Sequence, residues 1–390
     1  MARIWIASAF VFGTGLAAVI GGAENQRYET REALGAALFF DVNLSQNRTQ
    51  SCATCHDPET GFADPRGVRL GMATSLGDDG VSLGDRNAPT ASYAAFSPGF
   101  HKREDGKWIG GQFLDGREAG LEGQAGGPPL NPVEMGMSDK AEVIARLQEN
   151  PDYVSAFSVL YGENVMHNPD AAYDAMTDAI ATFERVPAFA PFDSKYDRYL
   201  RGEVELTKQE DLGRLLFFSQ QFTNCNICHQ LRTSAVDARE TFSNYEFHNI
   251  GTPANPMLED QLGRQVRDAG LAAHINDPVQ RGKFKVPTLR NVAVTGPYMH
   301  NGVFKDLRTV ILFYNKYNSR AAHRQINPET GVEWGAPEVA ENISLEELKT
   351  GPALKDDRID ALVAFLRTLT DARYEPLLEE LETGAKAKQE

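Results

Sequence analysis

The sequence predicts a mostly α-helical fold built from two versions of one unit, and three observations predict it. The four cysteines of the 390 residues all fall in two copies of one pattern, Cys52-Ala53-Thr54-Cys55-His56 and Cys225-Asn226-Ile227-Cys228-His229. A run of the form Leu-Gly-x-x-Leu-Phe-Phe precedes each copy, at residues 34–40 and 212–218. Near the end, Ile359, Leu362, Val363, Leu366 and Leu369 follow helical spacing behind Asp356 and Asp357, which suit a helix start. Each unit reads as an amphipathic helix, a variable loop and a Cys-x-x-Cys-His turn.

The elements follow in chain order. Arg3, the apolar run Ile4–Ile20, the small residues Gly21-Gly22-Ala23 and then Glu24 have the three-part shape of a secretory signal, residues 1–23. Gly13 and Gly15 weaken the run as a membrane anchor. The expected product is exported, periplasmic in a bacterium, with no membrane attachment after cleavage. Residues 57–133 are dense in Gly, Pro, Asp and Asn and read as long loops. Residues 138–148 and 170–185 read as helices. The stretch 187–197, with two prolines among aromatics, is the candidate linker, so the two units span 24–190 and 191–375. Residues 376–390 read as a charged tail, frayed after Glu380.

The formal net charge is −15 and no Lys/Arg cluster stands out, which makes nucleic acid and anionic lipid poor partners and a basic protein surface a better one.

The cysteine pattern selects a chemistry. Disulfides need no histidine after each pair. A four-thiolate zinc site would have to bridge an unusually long gap between the pairs. A redox dithiol explains neither the histidine nor the duplication. Covalent haem explains all three. Two thiols at i and i+3 share a face of one helical turn and add to the two vinyl groups of one porphyrin. The next residue, His56 or His229, then faces the iron. Two haems c are expected, one per unit, in cytochrome c-like domains.

The sixth iron positions separate an electron carrier from an enzyme. Met299 is the last methionine, whereas Tyr314 and Tyr317 follow it, and a phenolate favours oxidised iron. The loop from Phe62 to Pro89 has no histidine and one methionine, Met72, so the first iron is expected to keep an open side. Glu134, in Asn-Pro-Val-Glu-Met at 131–135, is a candidate proton shuttle beside it. A lone loop glutamate is also a common solvated charge, and the base rate of exposure favours that plainer reading.

The stretches SCATCHDP (51–58), GDRNAPT (84–90), GGQFLDGR (110–117), NPVEM (131–135), PFDSKYDR (191–198), FKVPTLRNVAVTGPYMHNGVF (284–304) and ILFYNKY (311–317) carry a resemblance. The chain resembles the bacterial di-haem cytochrome c peroxidases, and within them most closely the MauG-type enzymes of methylamine utilisation. The resemblance implies that His56 is the proximal ligand of a high-spin, peroxide-reactive haem. It implies that His229 and Tyr314 ligate the second iron, selecting Tyr314 over Tyr317. Glu134 matches the distal glutamate, with Gln124 and Pro128 beside it. Asn87 and the carbonyls of Thr295 and Pro297 match a calcium site between the haems.

The implied activity is a peroxide-dependent oxidation in which a high-valent di-haem state oxidises a partner protein. In MauG-type enzymes that partner is precursor methylamine dehydrogenase, whose tryptophan tryptophylquinone is completed. The alternative is a cytochrome c peroxidase that reduces hydrogen peroxide with electrons from a small cytochrome or copper protein. The non-enzyme alternative is a di-haem electron carrier. Two positions depart from the family pattern. Leu114 stands where a tryptophan usually lies between the haems, and Thr223 stands near the position of an exit tryptophan. Neither side chain is readily oxidised; beyond the signal, only Trp108 and Trp334 remain.

Overall fold

A computed structural model describes residues 28–230 and 237–387. The expected signal, residues 1–23, lies outside the described residues, as do the last three of the tail. The described fold is mostly helical, and its named strands are two short antiparallel ladders. One pairs His101–Lys102 with Trp108–Ile109, the other Phe247–His248 with Phe284–Lys285.

The repeated Leu-Gly-x-x-Leu-Phe-Phe runs form helices Arg31–Phe39 and Lys208–Phe217. Thr30 caps the first by accepting from the Ala33 amide, and Thr207 with Glu210 forms a capping box on the second. The glycine of each run marks a helix crossing. A Cβ on Gly35 would lie 1.9 Å from the carbonyl oxygen of Ala179 in helix Pro169–Phe183. A Cβ on Gly213 would lie 1.9 Å from that of Ala361 in helix Asp356–Arg367. Only glycine lets the backbones approach this closely. The Leu-Phe pairs then enter two separate cores. Leu38 and Phe39 join Phe157, Met176 and Phe189, while Leu216 and Phe217 join Tyr196, Phe242 and Phe365.

The expected linker runs between these cores but is itself packed. Phe189 is buried in the first, and Ser194 and Asp197 form a buried capping box on helix Lys195–Leu200. Asp197 also accepts from the buried guanidinium of Arg290 at 2.5 Å. The stretch 57–133 is less loop-like than expected. It holds helices Pro65–Leu70, Leu121–Ala125 and Gly127–Leu130, each too short to show a period in the sequence. The tail expectation is corrected too. Residues Glu375–Ala387 form a helix whose Leu377, Leu378 and Leu381 pack against Val294, Val68 and Tyr374. Its acids mask an i, i+1, i+4 apolar stripe.

Candidate functional site

Each Cys-x-x-Cys-His motif forms one helical turn, Cys52–Cys55 and Cys225–Cys228, with the histidine as its C-cap. His56 Nδ1 lies 3.2 Å from the Phe62 carbonyl, and His229 Nδ1 lies 3.0 Å from that of Phe242. A carbonyl only accepts, so Nδ1 carries the proton and Nε2 keeps its lone pair for iron. Phe62 and Phe242 both adopt left-handed backbone, φ +52° and +55°, which turns the chain back beneath each ring. Burial lowers both imidazoles, His229 to about 4, so both rings are neutral at pH 7, the form that can ligate a metal. Burial also pushes the Cys52 thiol up to about 12 and Cys225 up to about 11. A redox dithiol needs a lowered thiol instead.

The two pairs open into different cavities, so the four thiols do not form one site. The first cavity, ≈ 590 Å³, is lined by Cys52, Cys55 and His56 together with Gln124, Pro128 and Glu134. Glu134 is half-buried in this wall rather than a solvated charge. Burial raises its carboxyl, and Arg117 and Asn131 pull it back down. The second cavity, ≈ 370 Å³, is lined by Cys225, Cys228, His229 and Tyr314, which projects from helix Leu307–Asn315. Tyr317 does not line it; its hydroxyl donates to the Ile250 carbonyl at 2.9 Å. Burial raises the Tyr314 phenol, so ionising it calls for a neighbouring cation. Met299 also lines this cavity.

Leu114 lines both cavities, with its carbonyl accepting from the Lys285 amide at 2.8 Å. It therefore stands between the two cavities. Thr223 is buried in the second cavity wall, and its hydroxyl donates to the Leu216 carbonyl at 2.7 Å. Trp108 lines neither cavity and stacks on Phe100 at 4.9 Å. Trp334 packs on Phe304 and Phe313.

Asn87 and Thr295 share a small pocket of ≈ 10 Å³ with Thr74 and Ser75, whose hydroxyl oxygens are buried without a partner among the described residues. Asn87 Nδ2 donates to Ala73 at 3.2 Å, leaving Oδ1 for another partner. Asn87, Thr295 and Pro297 all line the second cavity as well. This oxygen-rich, partly orphaned set fits a hard cation such as calcium.

Sequence reasoning passed over two buried ionisable groups. Lys285 lines the second cavity and donates through Nζ to the Gly111 carbonyl, and burial pushes it down to about 7. Glu184 lines the first cavity at the end of helix Pro169–Phe183. Its only sequence signal was an acid directly after a buried helical face.

Comparison with known proteins bears on these sites. The methylamine utilization protein MauG of Paracoccus denitrificans is 56% identical over 91% of this chain and 92% of that protein. This chain belongs to the di-haem cytochrome c peroxidase family. A family model of that description matches residues 29–205. The cytochrome c peroxidase Ccp of Escherichia coli is 30% identical over 89% of this chain and 59% of that one. The diheme peroxidase BthA of Burkholderia thailandensis superposes with a TM-score of 0.75 at 32% identity, covering 90% of this chain and 88% of that one. The chain is a MauG-like, haem peroxidase-type oxidoreductase, and the family implies two haems c. No helix among the described residues is long and apolar enough to cross a membrane.

Proposed function

We propose that this protein works in the periplasm, reacts with hydrogen peroxide at the first haem and passes the oxidising power through the second haem to a partner protein. Precursor methylamine dehydrogenase is the proposed partner, with tryptophan tryptophylquinone as the product. The observation that carries the reading is the unlike pair of cavities: Glu134, Gln124 and Pro128 around His56, and Tyr314 in the wall that holds His229. Haem bound at the two turns supplies the redox centres that give two electrons to peroxide.

The chain's own residues do the rest. His56 and His229 offer neutral Nε2 ligands. Glu134 takes a proton from one peroxide oxygen and returns it to the departing one. Gln124 and Pro128 confine the peroxide beside it. Tyr314 gives the second iron a hard anion, which favours its oxidised state. Asn87, with the Thr295 and Pro297 carbonyls, would hold a calcium ion. Mixing the protein with peroxide and then with precursor methylamine dehydrogenase tests the whole. Quinone formation is the expected result; oxidation of a small cytochrome or copper protein in its place would favour the second reading.

That second reading, a cytochrome c peroxidase, is favoured by Thr223, which puts a hydroxyl near the place where the MauG type has an exit indole; Leu114 departs from the tryptophan usual across the family and weakens coupling in either reading. Without an indole between them, the irons should be poorly coupled. A weak or absent near-infrared band is therefore expected after peroxide. Leu114→Trp should strengthen the band if the larger ring fits, and overpacking costs about 1–3 kcal/mol. A strong band in the natural chain would sink this coupling argument and turn attention to Trp108.

Tyr314→Met is expected to raise the second haem's potential and shorten the life of the doubly oxidised state. Spectroelectrochemistry checks it. Unchanged spectra and potentials would instead make Met299, in the same cavity wall, the ligand to test.

A further inference from the structure

The first cavity holds a second buried acid that the steps above leave unused. Glu184 is 6% exposed and lines the cavity beside Ile180. Its Oε2 is buried with no hydrogen-bond partner among the described residues. An ionised carboxylate in that state would be an uncompensated buried charge, which costs far more than a buried carboxylic acid.

The surrounding groups do not neutralise it. Arg185, the next residue, favours the ionised form and Glu122 opposes it. Those two are paired with each other at the surface, at 2.7 Å. From helix Arg31–Phe39, Arg31 pairs with Asp178 instead. Cys52, the neighbour from the first helical turn, is uncharged, since burial pushes its thiol up to about 12, and would stay so as a thioether. Burial thus pushes the Glu184 carboxyl up to about 8, and at neutral pH it keeps its proton.

We propose that Glu184 is a resident proton store of the first cavity, supplying a proton of the two that are consumed when peroxide is reduced to water and regaining one from solvent past Glu122 and Arg185. The proposal rests on the peroxide reading above. The need comes from stoichiometry: reducing one peroxide to two waters consumes two protons and two electrons. The electrons come from the protein that the enzyme oxidises. Glu134 relays a proton that peroxide itself brings, so the consumed protons must enter the cavity from elsewhere. Glu122 lies on helix Leu121–Ala125, whose Leu121, Gln124 and Ala125 line the cavity. The exposed Glu122–Arg185 pair therefore stands on the solvent side of the same wall.

Infrared difference spectra of the resting di-haem protein across pH give the first test. A protonated-carboxyl C=O band should disappear with an apparent pKa near 8 and be missing from Glu184→Gln. Stopped-flow mixing with peroxide and then ascorbate gives the second. Glu184→Gln should leave the first, peroxide-driven phase unchanged and slow the return to the resting state by about 10²-fold, within the usual range for a lost proton donor. The natural return rate should fall as pH rises through 8, an inflection that Glu184→Gln lacks.

Glu184→Asp keeps the acid and should restore part of the rate. It also carries the test if Glu184→Gln takes up no haem, since a shorter acid should shift the band and slow the return. A missing band, or one that survives Glu184→Gln, overturns the stored proton. An unchanged return rate and pH profile overturns its delivery. A natural chain inert to peroxide overturns the proposed function and the delivery together, while the band reports on Glu184 alone.

Discussion

Glu134→Gln slows the reaction with peroxide by about 10²–10⁴, the usual cost of losing a positioned acid–base group, and leaves both haems attached. Gln fills the same space and keeps a hydrogen-bonding carbonyl, but it cannot take a proton from one peroxide oxygen and hand it to the other. Attachment is untouched because the thiols and histidines belong to other turns, 52–56 and 225–229. The pH profile separates this role from a structural one. Glu134 must be ionised to act as the base, and burial holds its carboxyl above the ordinary 4.5. The natural rate should therefore fall as pH drops through that raised value, and the variant should lose the inflection. Stopped-flow spectra over a pH series measure both. An unchanged rate would make Glu134 a bystander in the cavity wall.

Gly213→Ala destabilises the second unit by about 1–3 kcal/mol or more, the cost of forcing extra volume into a packed core. The new Cβ would sit 1.9 Å from the Ala361 oxygen and 2.8 Å from the Phe365 Cβ. Both neighbours belong to helix Asp356–Arg367, so no flexible side chain can swing away. The helices must part, which loosens Phe217, Phe242 and Phe365 behind the second haem turn. Gly384→Ala is the control. It lies in helix Glu375–Ala387 with nothing within 4 Å of the added carbon. It should be neutral or gain up to about 1 kcal/mol of helix propensity. Thermal melts followed by helical circular dichroism compare the two. Equal melting temperatures would show that the crossing relaxes freely.

Both predictions draw on two sources. The motifs alone state the chemistry, because thiols at i and i+3 followed by histidine are a local geometry that one helical turn enforces. The repeated Leu-Gly-x-x-Leu-Phe-Phe marked a duplicated unit for the same local reason, and the helices near 138–148, 170–185 and 356–369 were legible from their period. Resemblance then singled out Tyr314, Glu134 and Asn87.

What those residues meet was not legible, because burial depends on chain that is distant in sequence. Gly213 is constrained by Ala361, and Leu114 stands between two cavities whose walls come from both units. Tyr314 and Tyr317 share a helical neighbourhood, yet only the packing sends one to the cavity and the other to the Ile250 carbonyl. The acidic tail hid its apolar stripe until Val68 and Val294 supplied a surface for it. Glu134 and Glu184 read alike as single acids. The fold alone half-buries one in the first cavity wall and leaves the other almost fully buried, its Oε2 without a partner among the described residues, and on that difference rest the separate roles proposed for them. Spacing sets what a segment can form by itself; the free energy of a charge or a ring is set by what folding removes from water around it.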